Sequence, residues 1–375
     1  TVTFTSSEAI ATKVVTFLSG GDPITNAGAI TYNNTSGNTW TAAYTAHTND
    51  TDGVVTYSIV VGDLAGNPGT AVTTGSGSVT FDNTVPTLTS ASITSDNSPA
   101  THANPGDVVT VTLAASVAIS QPVVTFKSGG NAVSDGSITY AGSGANWTAA
   151  YTAGASDTEG AVSFTIAYSD LAGNAGTNVT SVTNASSVTF DKTAPTLTSA
   201  SIASDYSTNT LASTNDEITV TLTASEVIAQ PTVTFLSGGD PITNAGAITY
   251  NNTSGNTWTA AYTAHTNDTD GAVSFTISYS DLAGNTGTNV TSVTNASSVT
   301  FDKTVPTLSG VGIVSNNPTD TLSIVNDVIT VTFTSSEAIA TKVVTFLSGG
   351  DPITNAGAIT YNNTSGNTWT AAYTA

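Results

Sequence analysis

Internal repetition is the feature that most constrains the fold of this chain. Residues 1–46 recur without change as residues 330–375, an offset of 329 residues. A shorter period lies inside that unit, because "DLAGN" occurs at Asp63, Asp170 and Asp281, spaced by 107 and 111 residues. The motif "TFDNT" or "TFDKT" follows each "DLAGN". The sequence therefore predicts tandem domains of about 110 residues each.

The predicted domain boundaries fall after the "TFDKT"-like motifs. The domains comprise residues 1–83 (lacking a first strand), 84–192, 193–303 and 304–375 (lacking the last strands). Near-identity between copies favours a segment of a longer periodic fibre, in keeping with the absence of methionine at position 1. The alternative is a free-standing protein with two incomplete end domains, which would expose the unpaired strand edges that natural proteins avoid.

Period-two alternation predicts the secondary structure. In residues 273–281, "VSFTISYSD", apolar and polar side chains alternate strictly, as in a half-buried strand. Turn-forming segments such as "SGGDP" and "NTSGN" separate such stretches, and no segment shows a helical stripe. The predicted fold class is all-β, with tandem immunoglobulin-like antiparallel β-sandwiches arranged end to end. In the second domain, strands are expected near residues 88–95, 108–115, 123–127, 147–152, 162–169 and 181–190.

Charge excludes several classes of partner. The chain has 26 acidic residues, five lysines and no arginine, giving a net charge of -21. That balance argues against nucleic acid and against anionic membrane surfaces, and it favours divalent cations. No apolar run is long enough to span a bilayer, so no membrane insertion is expected. The absence of cysteine excludes a disulfide framework and thiolate chemistry.

No pattern of catalytic residues is evident, and we predict that the chain is not an enzyme. Its acids recur with every copy, whereas a catalytic site needs to be built only once. The three histidines have no second ligand at the spacing of a transition-metal site. Tryptophan recurs at one repeat position, where it either packs in the core or binds sugars; the four residues are Trp40, Trp147, Trp258 and Trp369.

The motifs "SDLAGN", "VTFDKTAPTLTSASI" and "VTLTASEVI" resemble the bacterial immunoglobulin-like repeats of very large surface adhesins. The resemblance covers essentially the whole chain. It implies an extended extracellular stalk at the cell surface, made of many tandem domains. It also implies calcium ions at the domain junctions, as in several relatives. The implied partners are further copies of the repeat, and the cell surface or a glycan bound through a tip outside these residues.

In a sandwich of this kind, the "TFDKT" Asp of one domain should meet two loops of the following domain. Those loops carry the "DLAGN" Asp and the Glu of "TASE" or "SSE". Calcium prefers six to eight oxygen ligands, which these groups can supply. The candidate junction ligands are Glu8, Asp63, Asp82, Asp170, Asn174, Asp191, Glu226, Asp281, Asn285, Asp302 and Glu337. A second group of acids at the opposite pole of each domain could add ligands: Asp52, Glu159 and Asp270.

The alternative for the "DLAGN" Asp is an Asx turn in which Gly supplies a positive φ and no metal is involved. Both interpretations remain open from the sequence. The second domain departs from the pattern, because Val117 stands where the other domains have Glu8, Glu226 and Glu337. The junction at Asp82 is therefore expected to bind calcium weakly or not at all.

Two functions remain. The first is a structural stalk or filament module stiffened by calcium. The second is a binding module whose repeated faces contact glycan, ice or neighbouring filaments. A stalk needs only solvated polar faces, whereas a lateral binder needs a flat, repeated apolar or Thr-rich patch, and the outward Thr-rich strand faces keep this second function open.

Overall fold

The computed structural model describes residues 1–25, 27–134, 136–243, 247–354 and 358–375. These residues form two compact units. The first comprises Thr1–Thr196, Ala224–Pro231 and Ser278–Thr288. The second comprises Leu197–Thr223, Thr232–Ile277 and Asn289–Ala375. Within the described ranges, no helix is long and apolar enough to cross a membrane.

The first repeat contributes two sheets to the first unit. Its strands are β1 (Val2–Thr5), β2 (Ile10–Ser19), β3 (Asp22–Pro23), β4 (Thr31–Ser36), β5 (Thr39–Ala43), β6 (Gly53–Asp63) and β7 (Val79–Phe81). The strand orders are β1-β5-β4 and β3-β2-β6-β7. A short 3-10 helix, Ala27–Ala29, precedes β4. The buried core between the sheets consists of Val15, Phe17, Ile24, Ala42 and Ile59.

The second repeat also lies in the first unit. Its strands are β8 (Leu88–Ser95), β9 (His102–Ala103), β10 (Val108–Ala115), β11 (Val123–Ser128), β12 (Asn131–Ala132), β13 (Thr139–Ser143), β14 (Asn146–Thr152), β15 (Gly160–Ala167) and β16 (Thr189–Phe190). One sheet has the order β13-β14-β10-β8 and the other β12-β11-β15-β16-β9. Strands β9 and β16 pair in parallel, and β10 is antiparallel to both of its neighbours.

This strand order is that of an immunoglobulin-like sandwich, and it confirms the predicted fold class. The predicted alternation is confirmed as well: along β15, Val162, Phe164 and Ile166 are buried between more exposed neighbours. They face Val109 and Val111 among the buried residues of one continuous core. The end-to-end arrangement and the domain boundaries stay predictions.

The prediction of a last strand at residues 181–190 of the second repeat is wrong over most of that range, because the strand observed there, β16, contains only two residues. Val179 forms an isolated bridge with Ile166, after which the chain crosses to the other sheet. There the Thr183 N–H donates to the Ala91 carbonyl at 2.8 Å. Beyond this bond, side-chain hydroxyls take the place of the backbone hydrogen bonds that a regular strand would have formed.

The second unit contains the strands of the third and fourth repeats. Those of the third repeat are β17 (Leu197–Ser204), β18 (Leu211–Ala212), β19 (Glu217–Ala224), β20 (Thr232–Ser237), β21 (Asp240–Pro241), β22 (Thr249–Ser254), β23 (Thr257–Thr263), β24 (Gly271–Ser278) and β25 (Thr300–Phe301). They form sheets β17-β19-β23-β22 and β18-β25-β24-β20-β21, the same orders as in the second repeat. Those of the fourth repeat are β26 (Leu308–Ser315), β27 (Val328–Ser335), β28 (Leu347–Ser348), β29 (Asp351–Pro352), β30 (Thr360–Ser365) and β31 (Thr368–Thr374).

In each repeat a tyrosine hydroxyl accepts a hydrogen bond from a valine N–H, which in the first three repeats belongs to the second sheet near its outer edge. The Val124 N–H of β11 donates to the Tyr140 hydroxyl at 3.0 Å, beyond the point where the two-residue β12 ends. The equivalent bonds join Val15 to Tyr32, Val233 to Tyr250 and Val344 to Tyr361, at 3.0, 3.0 and 2.9 Å. An edge N–H thereby has an internal partner and is less available for pairing with another chain.

Repeated glycines bring the acid-bearing loops close to the sheet. A Cβ atom on Gly129 would lie 2.4 Å from the Glu159 carbonyl oxygen, and φ at Gly129 is 55°. A Cβ atom on Gly20 would lie 2.5 Å from the Asp52 carbonyl oxygen, and one on Gly238 would lie 2.5 Å from the Asp270 carbonyl oxygen. A side chain at these positions would push the loop outward, which explains why the first glycine of "SGG" is required in the first three repeats.

We predict that Ala185→Gly stabilises the second repeat. Ala185 has a φ of 58°, a left-handed conformation that costs an L-residue with a Cβ about 1–2 kcal/mol. Greater flexibility of Gly in the unfolded chain offsets part of that gain, so the free energy of unfolding should rise by about 0.5–1 kcal/mol. Urea unfolding of both proteins measures the change, with Ala185→Val as a control that should destabilise. Equal or lower stability of the Gly variant would contradict the left-handed assignment.

Candidate functional site

The "DLAGN" loop of the second repeat folds around the carboxylate of Asp170, which is 2% exposed. One carboxylate oxygen accepts hydrogen bonds from the Gly173 and Asn174 N–H groups at 2.8 and 2.9 Å. The other accepts from Asn174 Nδ2 at 2.9 Å. Burial alone would raise the pKa of Asp170, but these bonds outweigh it, and the pKa is lowered. The Asx-turn interpretation therefore describes this loop well.

Asn174 also links the loop to the preceding repeat. Its Nδ2 donates to the backbone carbonyl of Asp82 at 3.0 Å. In the third repeat, Asn285 Nδ2 donates in the same way to the Asp191 carbonyl at 3.0 Å and to Asp281 Oδ2 at 2.8 Å. The expected meeting of "DLAGN" loop and "TFDKT" segment thus occurs through amide-to-carbonyl bonds. Asn174 and Asn285 use their nitrogen atoms there, which leaves their Oδ1 atoms available as ligands.

Three carboxylates converge at the boundary between the second and third predicted repeats, inside the first compact unit. Asp191, Glu226 and Asp281 each place one carboxylate oxygen within 4.8 Å of the other two. Burial, and then the charges of Asp191 and Asp281, raise the pKa of Glu226. Two ligands of a single Ca²⁺ can lie at most about 5 Å apart, twice the bond length. The spacing of these oxygens therefore fits one shared ion.

Glu159 brings a fourth carboxylate to this cluster. Its Oε1 accepts from the Lys192 N–H at 3.1 Å and from the Thr193 hydroxyl at 2.6 Å, and these bonds lower the pKa of Glu159. Its charge also contributes to the raised pKa of Glu226. Glu159, Asp191 and Glu226 line an open recess of about 460 Å³. The Lys192 ammonium donates to the carbonyls of Ala155 and Asp157 at 3.1 and 2.8 Å.

A related group of acids lies in the second unit. Burial, and then the neighbouring Asp302 and Asp270, raise the pKa of Glu337. One of its carboxylate oxygens, Oε1, is buried without a hydrogen-bond partner. Asp270 accepts from the Lys303 N–H at 2.9 Å and from the Thr304 hydroxyl at 2.5 Å, and these bonds lower its pKa. The charges of Asp302 and Asp270 thus both act on Glu337, and metal binding by these acids stays a prediction.

The remaining candidates do not converge in this way. Across the described ranges, Asp191, Glu226 and Asp281 form the one group of three acids at metal-ligand spacing. Near Asp82, Val117 is exposed where a glutamate would stand, and Asp52 accepts from the Asn83 N–H and the Thr84 hydroxyl. In the first repeat Glu8 is exposed, while Asp63 forms the same turn as Asp170, with Asn67 lowering its pKa. For all of these residues, metal binding stays a prediction.

One acid in each of the first three repeats has a role that the sequence pattern did not indicate. Asp157 is 1% exposed and accepts from the N–H groups of Ser134 and Gly154. Asp50 and Asp268 make the equivalent bonds in the first and third repeats. Each carboxylate joins two loops of its own repeat. The acid two residues later in each of these repeats faces the junction instead: Asp52, Glu159 or Asp270. Spacing alone does not reveal which acid of the pair does so.

The four recurrent tryptophans are half-buried. Trp147 packs against the buried residues of the second sandwich, and its Nε1 donates to the Gly144 carbonyl at 3.1 Å. In the first repeat, the Lys13 ammonium lies 3.9 Å from the centre of the Trp40 ring, and Lys342 lies 3.7 Å from Trp369. A cation over the ring face occupies the surface on which a sugar would stack.

No protein-family model matches the chain, and no curated protein matches it. Solved structures of tandem immunoglobulin domains are similar in part. The I67–I69 fragment of titin is 10% identical, with 78% of this chain and 88% of that chain covered and a TM-score of 0.33. Titin A168–A170 is 14% identical, with 75% and 88% covered and a TM-score of 0.30. The eight N-terminal domains of Down syndrome cell adhesion molecule are 11% identical, with 100% and 48% covered and a TM-score of 0.24.

These likenesses are low in identity and in TM-score. The fold assignment therefore rests on the strand order and register described above. No activity, ligand or partner of those proteins is carried over to this chain.

We predict that Glu226→Gln stabilises the metal-free protein at neutral pH. The folded pKa of Glu226 is raised above its ordinary value of 4.5. The folded protein therefore holds this proton more tightly than the unfolded chain, and the free energy of unfolding of the wild type falls as pH rises from 4.5 through the folded pKa. The Gln variant avoids that loss. Because the cluster is partly solvent-screened, we expect its melting temperature in EDTA to exceed wild type by about 1–3 °C at pH 7 and by little at pH 4.

Thermal unfolding at both pH values tests this, with Glu217→Gln as a matched control that removes a charge from β19. A Glu226→Gln variant that is less stable than wild type at pH 7 in EDTA would show that repulsion is not the dominant effect.

Proposed function

We propose that the chain is a structural, non-catalytic part of an extracellular stalk or filament at a cell surface, with calcium fixing neighbouring repeats. The observation that carries this proposal is the convergence of Asp191, Glu226 and Asp281 within 4.8 Å. The resemblance to bacterial surface adhesins supports the extracellular role. Further copies of the repeat are its proposed partners, and a tip outside these residues would contact the cell surface or a glycan.

Calcium suits this cluster for electrostatic reasons. Asp191, Glu226 and Asp281 come from three separate segments of the chain, and their mutual repulsion opposes close approach. A divalent cation reverses the sign of that interaction. Asp and Glu oxygens, backbone carbonyls and water together supply the six to eight ligands that Ca²⁺ requires. Glu159 is placed to act directly or through water.

The arrangement of the acids supports a non-catalytic role. Asp170 and Asp157 each accept hydrogen bonds from N–H groups of their own repeats. The same bonds recur around Asp281 and Asp268. These carboxylates shape loops, and one of them, Asp281, also lies beside Asp191 and Glu226 at a repeat boundary.

A second candidate function is lateral binding to glycan, ice or neighbouring filaments. It is favoured by the outer face of the first sheet, where Thr112 and Thr148 lie side by side in register and Thr110 lies two residues along β10. This face is uncharged in the second repeat, although the chain carries a net charge of -21. Retention of labelled protein on insoluble polysaccharide or in growing ice, lost on Thr112→Lys, would favour this function.

We predict that calcium raises the melting temperature of the wild-type chain and that Asp281→Asn abolishes much of the effect. A ligand at one hundred times its dissociation constant stabilises by about 2.7 kcal/mol if it binds only the folded state. Calorimetric titration measures binding. Small-angle scattering with calcium and then with chelator measures how stiff the junction is. In chelator, repulsion between the carboxylates should let the junction flex, and the maximum dimension of the chain should change. If chelation changes neither melting temperature nor maximum dimension, calcium has no structural role.

We predict that Val117→Glu creates a further calcium site near Asp82 and Asp170. The substitution supplies the glutamate that the third repeat has at Glu226. Titration should show additional bound calcium relative to wild type. The control Val117→Gln, whose side chain has the shape of Glu without the charge, should show none. Unchanged stoichiometry in the Glu variant would indicate that Asp82 and Asp170 cannot share an ion.

A further inference from the structure

Strand β13 forms a straight, exposed edge of the second repeat. It is the outermost strand of the sheet β13-β14-β10-β8, so among the described residues no strand pairs with its other side. Its register with β14 is continuous, from Thr139 opposite Ala150 to Ser143 opposite Asn146. All of its residues except Tyr140 are exposed. Such an edge presents backbone N–H and C=O groups to which a further strand can bond.

The equivalent edges of the other repeats carry a β-bulge. In the third repeat the register shifts between Asn252 and Ser254, so Thr253 has no partner position in β23. The Thr253 hydroxyl donates to the Thr257 carbonyl at 3.3 Å, and Asn252 Nδ2 donates to the Gly255 carbonyl at 3.1 Å. Strands β4 and β30 have the same shift and the same two bonds. A bulge bends and twists an edge away from a regular partner, so these three edges are protected.

A shorter sequence removes the bulge from the second repeat. Six residues separate Tyr140 from Trp147, whereas seven separate Tyr250 from Trp258. Gly142 allows the shorter hairpin to close: its φ is 126°, and a Cβ atom there would lie 2.3 Å from the Asn146 carbonyl oxygen. The edge of the second repeat is therefore regular, with small side chains where the other repeats have two asparagines.

The charge distribution indicates what can cover this edge. Residues 136–156 contain no Asp, Glu or Lys, although the chain carries a net charge of -21. Two copies of the chain repel each other through their acidic surfaces, and an uncharged edge is a place where they can approach. A strand that pairs antiparallel with its own copy about a two-fold axis also presents matching donors and acceptors. A second copy of this chain is therefore the partner that fits.

We propose that β13 pairs with β13 of a second copy, which joins two four-stranded sheets into one sheet of eight strands and links neighbouring filaments at the second repeat. This inference deepens the second candidate function, on which it rests for the contact between filaments, and it places that contact on a strand edge rather than on the Thr-bearing face. One edge pair buries little area and binds weakly. Several repeats of this type along a fibre would bind together much more tightly.

The test is sedimentation velocity of the full chain in EDTA, at concentrations from about 1 to 200 µM, where weak interfaces of this size associate. We expect a reversible change from monomer to dimer as the concentration rises. Amide hydrogen exchange at both ends of this range locates the contact. Exchange at residues 139–143 should slow in the dimer, because new hydrogen bonds protect the outward N–H groups.

The principal variant is Ala141→Lys. It places a charge on each side of the two-fold axis, and lysine is a residue that natural edge strands use against pairing, so the association should weaken about tenfold or more. The matched control is Asn251→Lys, at the same position of the bulged edge in the third repeat, which should leave association unchanged. Replacing residues 141–143 by Asn-Asn-Thr-Ser restores the bulge. This second variant should also weaken association, and it replaces Ala141→Lys if that variant does not fold.

A dimer that weakens with Ala141→Lys but not with Asn251→Lys supports the proposal. A chain that stays monomeric at all concentrations would overturn it, as would a dimer that Ala141→Lys leaves intact or that both variants weaken equally. Calcium is absent from the measurement, so the proposed stalk is tested separately. Thr112→Lys, which tests binding of polysaccharide or ice by the Thr-bearing face, should leave the dimer unchanged.

Discussion

Internal hydrogen bonding of the sheet edges is the constraint on which the rest of this structure depends. Open β-sandwiches present rows of unpaired N–H and C=O groups, and this chain has no disulfides and few lysines with which to protect them. Side-chain hydroxyls take over part of that role. Tyr140 accepts from β11 on one edge, while Thr183 and Ser186 bind β8 on another. The richness in Thr and Ser thus has a structural use beyond solubility.

The acidic residues divide into two kinds according to what surrounds them. Asp157 and Asp170 are almost fully buried. Backbone N–H groups bond both oxygens of Asp157, whereas at Asp170 they bond one oxygen and the Asn174 side-chain amide bonds the other. Hydrogen bonds to the charged form outweigh the effect of burial, so their pKa values are lowered. Glu226 has acids for neighbours instead, and its pKa is raised. Acids of this second kind are not needed to hold the fold together.

Differences between copies are as informative as their identity. Val117 in place of a glutamate removes one acid from one boundary, and Gly77 stands in the first repeat where the second and third have Ser186 and Ser297. Both positions lie outside the cores, which in the second and third sandwiches are built from equivalent alternating residues. A tandem array can therefore vary the properties of its boundaries and edges repeat by repeat while the sandwich itself stays the same.

The sequence by itself determined the repeat period, the all-β class and most strand positions, because side-chain alternation and turn residues are local signals. Strand β10 was predicted with the bounds that it has. The last strand of the second repeat was not, since Thr183 and Ser186 bond to β8 through their hydroxyls, and no local pattern distinguishes such a segment from a regular strand. Chemistry and the resemblance together indicated that Asp191, Glu226 and Asp281 could meet. Only the tertiary structure decided which acids face one another and which are satisfied by their own loops, because residues distant in sequence fix those partners.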